Sequence, residues 1–415
     1  MRIKNVEINE MLDSRMEPTI EVILTSESGK SALSQIPSGK SRGKNEAMVF
    51  NAKESRKVLE NTIKPSIIGK EFGTVGELDK LLISLDGSLR KENLGGNLML
   101  GISIAFARLI ARSRKKELWQ ILNEEFFGGE IFKSKPLIFS NLINGGAHAK
   151  NNLDIQEYMV VVGTGGSFRS GIRQLKIFYE ELGKFLKMKY NLPVLKLGDE
   201  GGYSLDFSGN FEPIEMLSDL IKRNKFGSTF RIALDAAASG FFENGRYRFD
   251  GRNLSTGEMS EVYEFYLKSF PLLMSIEDPF AETDEEGFRK LTSRSAGALV
   301  VGDDLTTTNP IAIEKAVREG LISGLIVKPN QIGTVTETCE AMKIARLNGV
   351  KTIVSHRSGE VEDAFIIHFA KAGGAYGVKI GAPVPSRMSK FYELKRLYDK
   401  KSLFSLIMKL KQRIL

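Results

Sequence analysis

ALVVGDD, residues 298–304, and GLIVKPN, residues 324–330, each join a short apolar run to polar residues with chemical capacity. Four further runs of this form are RIALD (231–235), LLMSIED (272–278), KTIVSHRS (351–358) and YGVKIGAP (376–383). From Glu277 onward the polar ends recur about every 25 residues, close to the roughly 30 residues of one strand-helix unit in a (β/α)8 barrel. Such barrels carry catalytic groups at the carboxyl ends of their strands, so the spacing predicts one shared mouth.

The bulk composition favours a globular protein of two domains. The chain has 415 residues, 42% of them hydrophobic, which is enough for sizeable buried cores. No apolar stretch approaches the roughly 20 residues that cross a bilayer, and MRIKNVEINE lacks a signal-peptide pattern, so we expect a cytoplasmic protein without a membrane span. Cys339 is the only cysteine, which excludes a CxxC pair. A net charge of +8 favours anionic ligands without distinguishing among them.

Two patterns divide the chain. Alternating apolar residues in 1–34 predict a sheet, and helical spacing follows from Glu46 to Phe127, so we predict an N-terminal α+β domain over 1–127. The segment FFGGEIFKSKP at 126–136 is the predicted junction. Strands and helices alternate over 136–415, which predicts an α/β barrel with C-terminal helices.

The start of this barrel is predicted to be irregular. PLIFSNLINGG (136–146) is followed so closely by LDIQEYMVVVG (153–163) that no crossover helix fits between them, and the two strands should pair antiparallel. GTGGS at 163–167 lacks the GxGxxG spacing, and we do not expect it to join a strand to a helix, so dinucleotide binding is rejected.

Three of the strand-end residues are carboxylates. Asp235, Glu277 and Asp303 come without a cysteine or histidine pattern, which favours a hard, oxygen-seeking cation such as Mg²⁺. A single aspartate at a strand end is more often a cap or turn former, but three in consecutive strands favour a metal site. Asp278 and Asp304 follow as caps or supporting groups.

Two lysines end later strands. The apolar run before Lys328 should bury its stem, and Lys379 follows on a later strand as a second cation close by. Burial and a nearby cation lower the pKa of a lysine, as base catalysis requires, whereas adjacent carboxylates raise it.

Other polar groups lie in glycine-rich or strand-end loops. In SHRSGE (355–360), Arg357 offers a fork for phosphate or carboxylate, and an ion pair with Glu360 or Glu362 is the structural alternative. His148 lies in a glycine-rich loop, whereas His368 is expected to be a core residue. GDEGG (198–202) and PSGKSRG (37–43) are further candidate ligand loops, the second with Ser41, Lys40 and Arg42.

Ten segments together resemble enolase in order and spacing across nearly the whole chain. They are LDSR (12–15), PSGKSRG (37–43), INGGAHAKN (143–151), LDIQEYM (153–159), GDEGG (198–202), ALDAAAS (233–239), SIEDPF (275–280), GDDLTTTNP (302–310), KPNQIGT (328–334) and SHRSGEVED (355–363). The resemblance implies an enolase-type TIM (β/α)8 barrel capped by the N-terminal domain. It also implies Mg²⁺-dependent dehydration of 2-phosphoglycerate to phosphoenolpyruvate in glycolysis and gluconeogenesis, the work of a hydro-lyase.

The resemblance also implies roles for individual residues. It makes Lys328 the base, with Glu200 as the acid helped by Glu157. Of the two Mg²⁺ ions per site, the second binds with substrate. The implied metal ligands are Asp235, Glu277, Asp303 and Ser41, and the implied substrate contacts are His148, Gln156, His356, Arg357, Ser358 and Lys379. A homodimer or a dimer-based octamer is the implied assembly.

This sequence departs from the enolase pattern in its loops. PSGASTG appears as PSGKSRG, HAGN as HAKN and KTGAP as KIGAP, which introduces Lys40, Arg42, Lys150 and Ile380. These changes bear on loop closure and turnover more than on fold or metal binding. Two alternatives therefore stay open: a paralogue acting on another carboxylate, and a non-catalytic protein that binds anionic membranes or nucleic acid through its basic C-terminal segment. Nucleic acid is the less favoured partner.

Overall fold

The computed structural model describes residues 1–40 and 43–399. The chain begins with an antiparallel three-stranded sheet in the order β1, β2, β3. Its strands are β1 (Ile3–Leu12), β2 (Pro18–Ser26) and β3 (Ser31–Gln35). Alternate residues of β2 from Ile20 to Ser26 are buried, as are Val6 and Ile8 of β1, which is the two-residue period that the sequence predicts for a sheet with one covered face.

In the described residues from 43 to 126, five α-helices follow this sheet. They are α1 (Ala52–Val58), which continues through a π-helical turn into α2 (Lys64–Ile67), then α3 (Val75–Asp86), α4 (Gly96–Ser113) and α5 (Leu118–Phe126). Nearly every residue of α4 is buried, because the helix packs against β2 and β3. The Ser34 hydroxyl donates to the Gly101 carbonyl at 2.6 Å, which fixes the helix on the sheet.

Thirteen strands lie in the described residues from 137 to 399, and eight of them close into a barrel. The strands are β4 (Leu137–Asn144), β5 (Glu157–Val162), β6 (Lys196–Leu197), β7 (Tyr203–Ser204), β8 (Phe230–Asp235), β9 (Phe242–Glu243), β10 (Arg246–Phe249), β11 (Arg252–Leu254), β12 (Leu273–Glu277), β13 (Leu299–Gly302), β14 (Gly324–Val327), β15 (Lys351–Ser355) and β16 (Gly377–Ile380). Within the described residues, the ring runs β4, β5, β8, β12, β13, β14, β15, β16 and closes by pairing of β16 with β4. The predicted fold class is thereby confirmed.

The barrel opens irregularly, as predicted. Strand β5 pairs antiparallel with both β4 and β8, while the remaining neighbours in the ring are parallel. The amino end of β5 therefore lies at the same edge as the carboxyl ends of the other strands: Glu157 is the register partner of Asp235. An antiparallel strand thus places its first residue at the barrel mouth.

Helices alternate with the strands of the ring along the chain. They are α6 (Phe168–Lys189), α7 (Phe211–Arg223), α8 (Thr256–Ser269), α9 (Glu285–Arg294), α10 (Pro310–Arg318), α11 (Pro329–Ile332), α12 (Val335–Leu347), α13 (Phe365–Ala372) and α14 (Met388–Tyr398). GTGGS joins β5 to α6, so the expectation that it would not link a strand to a helix is wrong; it still lacks the dinucleotide spacing. In residues 1–40 and 43–399, every helix is too short or too polar to traverse a bilayer.

The predicted division of the chain at 127 and 136 remains a proposal. Helix α5 ends at Phe126 and β4 begins at Leu137. In α14, Phe391 is buried in the large core cluster together with Leu394 and Leu397, whereas the rest of the basic C-terminal segment, from residue 400 onward, lies outside the described residues.

Two apolar clusters line the two faces of the barrel wall. The larger joins the strands to the helices, while a smaller one takes alternate residues of six barrel strands. Because side chains alternate along a strand, a residue two positions beyond a member of the smaller cluster points the same way. Five polar residues stand in this relation. The pairs are Phe139 and Asn141, Ala233 and Asp235, Val301 and Asp303, Ile326 and Lys328, and Ile353 and Ser355.

The N-terminal helices hold the start of α12. Asp79 on α3 accepts hydrogen bonds from the backbone N–H and the hydroxyl of Thr336, at 2.9 and 2.6 Å, and the Ser103 hydroxyl accepts from the Val335 N–H at 3.1 Å. Asp79 is fully buried, and its second carboxylate oxygen has no hydrogen-bond partner. Burial raises the pKa of Asp79 to about 6.

Replacing Asp79 by Asn should change the pH dependence of stability. A carboxyl whose pKa rises from 3.8 to about 6 on folding stabilises the native state below pH 4, and this contribution is lost as the pH rises to 6. The free energy of unfolding of Asp79→Asn, relative to wild type, should therefore increase by up to about 3 kcal/mol between pH 4 and pH 7. Urea unfolding of both proteins at pH 4 and pH 7 measures these free energies. A difference between Asp79→Asn and wild type that is the same at both pH values would contradict the prediction.

Candidate active site

The barrel mouth gathers the polar ends of consecutive strands. Asp235 ends β8, Glu277 ends β12 and Lys379 lies in β16, while Asp303, Lys328 and His356 directly follow β13, β14 and β15. Each of these except Lys328 is buried, and Lys328 is part-buried. The structure therefore brings together residues that lie up to 144 positions apart in sequence.

Lys379 lies at the centre of a group of carboxylates. Its Nζ is 2.9 Å from Asp235 Oδ2, 2.8 Å from both Glu277 oxygens and 3.2 Å from Glu157 Oε2. Burial alone would lower the pKa of Lys379, but these carboxylates outweigh it and raise the pKa well above its usual value. A single ammonium thus offsets part of the negative charge from three strands.

Lys328 forms an ion pair with Asp303. The sequence leaves open whether nearby cations lower the pKa of this lysine or nearby carboxylates raise it. The structure shows that the pKa of Lys328 is raised despite burial, because the Asp303 carboxylate is in direct contact with it. Gln331 donates to the other Asp303 oxygen at 3.0 Å, so both oxygens of this carboxylate have partners.

The predicted metal ligands converge without forming a closed cage. Asp235 and Glu277 are register partners on adjacent strands, and burial together with Asp235 raises the pKa of Glu277 well above its usual value. Among the described residues, two sets of side chains have ligand atoms within 4.8 Å of one another, Asp278 with Asp303 and Asp304, and His148 with Glu157 and Glu200. The trio Asp235, Glu277 and Asp303 is not such a set, because Lys379 and Lys328 lie among its oxygens.

These carboxylates nevertheless fit a divalent cation. Buried oxygen donors from adjacent strands match the ligands that Mg²⁺ prefers, and repulsion between them, seen in the raised pKa of Glu277, is relieved by a cation. Asp278 instead accepts backbone N–H bonds from Asp303 and Asp304 at 2.9 and 2.7 Å, which holds the β13 loop. Ser41, the fourth predicted ligand, lies outside the described residues.

The opposite side of the mouth carries an acid pair. Glu200 accepts from Asn141 Nδ2 at 3.1 Å, and its Oε1 lies 3.4 Å from His356 Nε2. His148 Nδ1 lies 3.8 Å from Glu200 and 3.7 Å from Glu157.

Burial and the nearby Glu200 carboxylate raise the pKa of Glu157 well above its usual value. Burial would also raise the pKa of Glu200, but attraction to His356 and His148 lowers it well below its usual value. Gln156 reaches Asp235 Oδ2 at 3.5 Å and so joins this side to the carboxylate group around Lys379.

Arg357 has a partner that the sequence analysis did not single out. Its Nη1 and Nη2 donate to the two Glu46 oxygens at 3.0 and 3.3 Å, and Nη1 also donates to Asn330 at 3.1 Å. The ion-pair partner of the Arg357 side chain is therefore Glu46, and not Glu360 or Glu362 as the sequence alternative had it. Glu360 instead accepts the Arg357 backbone N–H and forms an ion pair with Lys390. Glu46 lies 311 positions away, and no local pattern marks it.

Arg387 is a second residue that the sequence did not reveal. It is fully buried, and its guanidinium donates to the carbonyls of Arg357, Ser358 and Asp199 at 2.7, 2.6 and 2.9 Å. It also lies 3.0 Å from His356 Nδ1. The side chain thereby fixes two loops of the mouth, yet PVPSRMSK carries no motif that predicts this.

The residues that depart from the enolase pattern have different surroundings. Lys40 forms an ion pair with Asp199 at 2.9 Å, Lys150 is exposed, and Ile380 is fully buried in the barrel. His368, predicted as a core residue, is buried, accepts the Trp119 N–H at 3.2 Å and lies 2.9 Å from Glu393. Arg42 lies outside the described residues.

Comparison with known proteins agrees with this arrangement. Residues 3–122 match the family model described as "Enolase, N-terminal domain", and residues 133–404 match "Enolase, C-terminal TIM barrel domain". The chain belongs to the enolase family. The enolase of Thermococcus gammatolerans is 39% identical, with 96% of this chain and 94% of the relative covered. The enolase of Methanopyrus kandleri is 38% identical, with 96% of this chain and 96% of the relative covered. The enolase of Natranaerobius thermophilus is 36% identical, with 96% of this chain and 95% of the relative covered. The resemblance inferred from ten motifs is confirmed, and the enzyme class is that of the phosphopyruvate hydratases, which are lyases.

Removing Glu46 from this enolase should destabilise it. Glu46→Ala leaves the Arg357 guanidinium buried without its main counter-charge, which costs about 3–5 kcal/mol for a broken buried pair. Lys44→Ala is the matched control, because Lys44 pairs with Glu282 at 3.4 Å while 80% exposed and should change stability by less than about 1 kcal/mol. Chemical denaturation compares the two, and equal effects would show that the buried pair contributes no more than the exposed one.

Proposed function

We propose that this chain removes water from 2-phosphoglycerate to give phosphoenolpyruvate, with Mg²⁺ as its metal. The observation that carries the proposal is the placement of Lys328 and Glu200 around one cavity, together with Glu157, Asp235 and Lys379. Lys328 follows β14, and the Glu157 of the acid pair begins β5, four strands away in the ring of eight. A base and an acid therefore face the same substrate from opposite sides.

The first chemical step falls to Lys328. Its Nζ takes the proton from C2 of the substrate, and the electron pair left behind spreads onto the neighbouring carboxylate. A carbon acid this weak reacts only where the developing charge is stabilised, and Lys379, fixed by three carboxylates, supplies a preorganised positive charge there. In the arrangement seen, Asp303 must first give up its contact with Lys328 for the amine to act as a base.

The second step belongs to the acid pair. The electron pair forms the C2–C3 double bond, the C3–O bond breaks, and a proton from Glu200 converts the departing hydroxide to water. Because the pKa of Glu157 is raised and that of Glu200 is lowered in the arrangement seen, Glu157 is the proposed source of the proton that Glu200 delivers. His148, Gln156 and His356 line the same cavity and are the proposed contacts for the substrate carbons and hydroxyl.

The phosphate would bind Arg357 and Ser358. A guanidinium fixed by Glu46 and Asn330 presents its donors in a set direction, and a hydroxyl beside it adds a further donor. Both residues belong to the loop that Arg387 holds, so their positions do not depend on the substrate.

Asp235, Glu277 and Asp303 are the proposed ligands of one Mg²⁺, and Ser41 of a second that binds with substrate. When bound, Mg²⁺ would neutralise the carboxylates and stabilise negative charge on the substrate carboxylate. A homodimer, or an octamer built from dimers, remains the proposed assembly, and the cytoplasm the proposed compartment. A paralogue acting on another carboxylate is the second candidate, favoured by the ion pair of Lys40 at the edge of the site.

Lys328→Ala should abolish conversion of 2-phosphoglycerate while leaving the fold intact, because the substituted side chain is the proposed base. Ultraviolet absorbance of the enol phosphate measures turnover, and circular dichroism checks folding. Lys343→Ala, an exposed lysine on α12, is the control and should retain wild-type rates. Equal activity of the two variants would remove Lys328 from the mechanism, and wild-type turnover of unphosphorylated carboxylates alone would favour the paralogue.

Mg²⁺ should raise the melting temperature of the wild type in the absence of substrate, since a cation that binds only the folded state stabilises it. Glu277→Gln should reduce this shift strongly, because it removes one charge from the proposed ligand set while keeping the shape of the side chain. Glu261→Gln on α8 is the control outside the mouth. The proposal fails if the shift is equal in wild type and Glu277→Gln.

A further inference from the structure

The two ring nitrogens of His356 have different surroundings. Nδ1 lies 3.0 Å from Arg387 Nη1 and accepts the backbone N–H of Gly381 at 3.4 Å. Nε2 lies 3.4 Å from Oε1 of Glu200, which lines the cavity of the mouth. The His356 ring is 2% exposed, and a Cβ at Gly381 would lie 3.2 Å from its Cε1. Close packing therefore holds the ring with Nε2 on the side of the acid pair.

Both groups at Nδ1 can only donate. A guanidinium and a backbone N–H offer no lone pair to a hydrogen bond, so Nδ1 of His356 must be the accepting nitrogen. In a neutral imidazole the proton then lies on Nε2. Among the described residues, the buried Nε2 has no hydrogen-bond partner of good geometry. Its N–H is therefore free to bond a group that enters the cavity or an acid that changes its charge.

Charge also opposes a proton on Nδ1. The other partners of the Arg387 guanidinium are three backbone carbonyls, none of which carries a negative charge. Burial lowers the pKa of His356 and Arg387 lowers it further, while attraction to Glu200 and Glu360 acts in the opposite direction. The pKa of His356 is lowered on balance, so the ring stays neutral with Nδ1 unprotonated.

We propose that Arg387 is a positioning residue that fixes His356 in the tautomer with its proton on Nε2, so that this histidine serves the acid pair as a fixed donor and not as a proton carrier. The proposal rests on the proposed function in taking Glu200 as the group that delivers the proton. When Glu200 gives up that proton, charge develops on its carboxylate, and a donor already beside Oε1 stabilises it without rearrangement. The other tautomer would present a lone pair to the same oxygen.

The tautomer can be measured directly, because the chain contains only three histidines. In wild type with isotope-labelled histidine, solid-state nitrogen NMR at neutral pH should show an unprotonated Nδ1 and a protonated Nε2 for His356. Loss of these signals in His356→Gln assigns them. His368 is the internal reference, because its Nδ1 accepts the backbone N–H of Trp119 and not a group of the mouth. A protonated Nδ1 of His356 in wild type would overturn the proposal.

Replacement of Arg387 should release the tautomer. In Arg387→Met, Nδ1 loses its charged donor, so part of the His356 population should carry a proton on Nδ1. Arg387→Lys keeps a cation and a donor and should remain closer to wild type. Arg231→Met is the matched control, because Arg231 also donates to backbone carbonyls, those of Gly227 and Phe230, but at the end of β8 remote from the mouth. An unchanged tautomer in folded Arg387→Met would reject the role of Arg387.

Turnover provides a test that needs no variant of Arg387. Glutamine in place of His356 puts its amide nitrogen near the position of Nε2, whereas asparagine puts its amide nitrogen near the position of Nδ1. Groups that orient a working histidine through its second nitrogen change activity by about ten- to a hundredfold. The kcat of His356→Gln should therefore exceed that of His356→Asn by about tenfold or more. Equal kcat values in the two variants would contradict a donor at Nε2.

The same comparison separates this role from simple support of the phosphate-binding loop. Arg387→Met should lower kcat by about ten- to a hundredfold, with part of this loss recovered in Arg387→Lys. A rise in KM without a fall in kcat, and with the His356 signals as in wild type, would mean that Arg387 only supports the loop and would overturn the proposal. A wild type that shows the Nε2 tautomer but does not convert 2-phosphoglycerate would count against the proposed function alone and support the assignment of Arg387.

Discussion

The contact of Lys379 with Asp235, Glu277 and Glu157 sets the charge balance of the whole barrel mouth. Buried carboxylates this close repel one another, and each would lose its charge without a counter-ion. Lys379 is carried by β16, the strand that closes the ring on β4, so the contact forms only once the barrel is complete. Burial of the acidic residues and closure of the fold are therefore coupled by one ammonium group.

The two sides of the mouth have different origins in the fold. Regular parallel strands supply Asp235, Glu277, Asp303 and Lys328, each placed by the two-residue alternation along its strand or at its end. The acid side comes from the irregular start of the barrel. Glu157 lies at the mouth because β5 runs antiparallel and presents its first residue there. One reversed strand thus lets a base and an acid approach the same cavity.

The N-terminal elements complete the site from outside the ring. Glu46 provides the counter-charge for Arg357, and Ser38 to Lys40 lie over the same loop. Further from the mouth, Asp79 and Ser103 hold the first turn of α12 by accepting its backbone N–H groups. Arg387 adds a third support by binding the carbonyls of two loops. The geometry of Arg357 therefore depends on segments from both ends of the chain.

Local sequence order was enough to predict the barrel, its antiparallel start and the convergence of Asp235, Glu277, Asp303, Lys328 and Lys379, because strand periodicity and strand-end position follow from that order. Family membership followed from motifs in a fixed order. The partners of these residues were decided by tertiary structure: Glu46 meets Arg357 across 311 positions, Arg387 meets three carbonyls, and Asp303 rather than Lys379 controls the pKa of Lys328. Such contacts depend on distances between groups remote in sequence, and Coulomb and hydrogen-bond energies change over a few ångströms that no local pattern encodes.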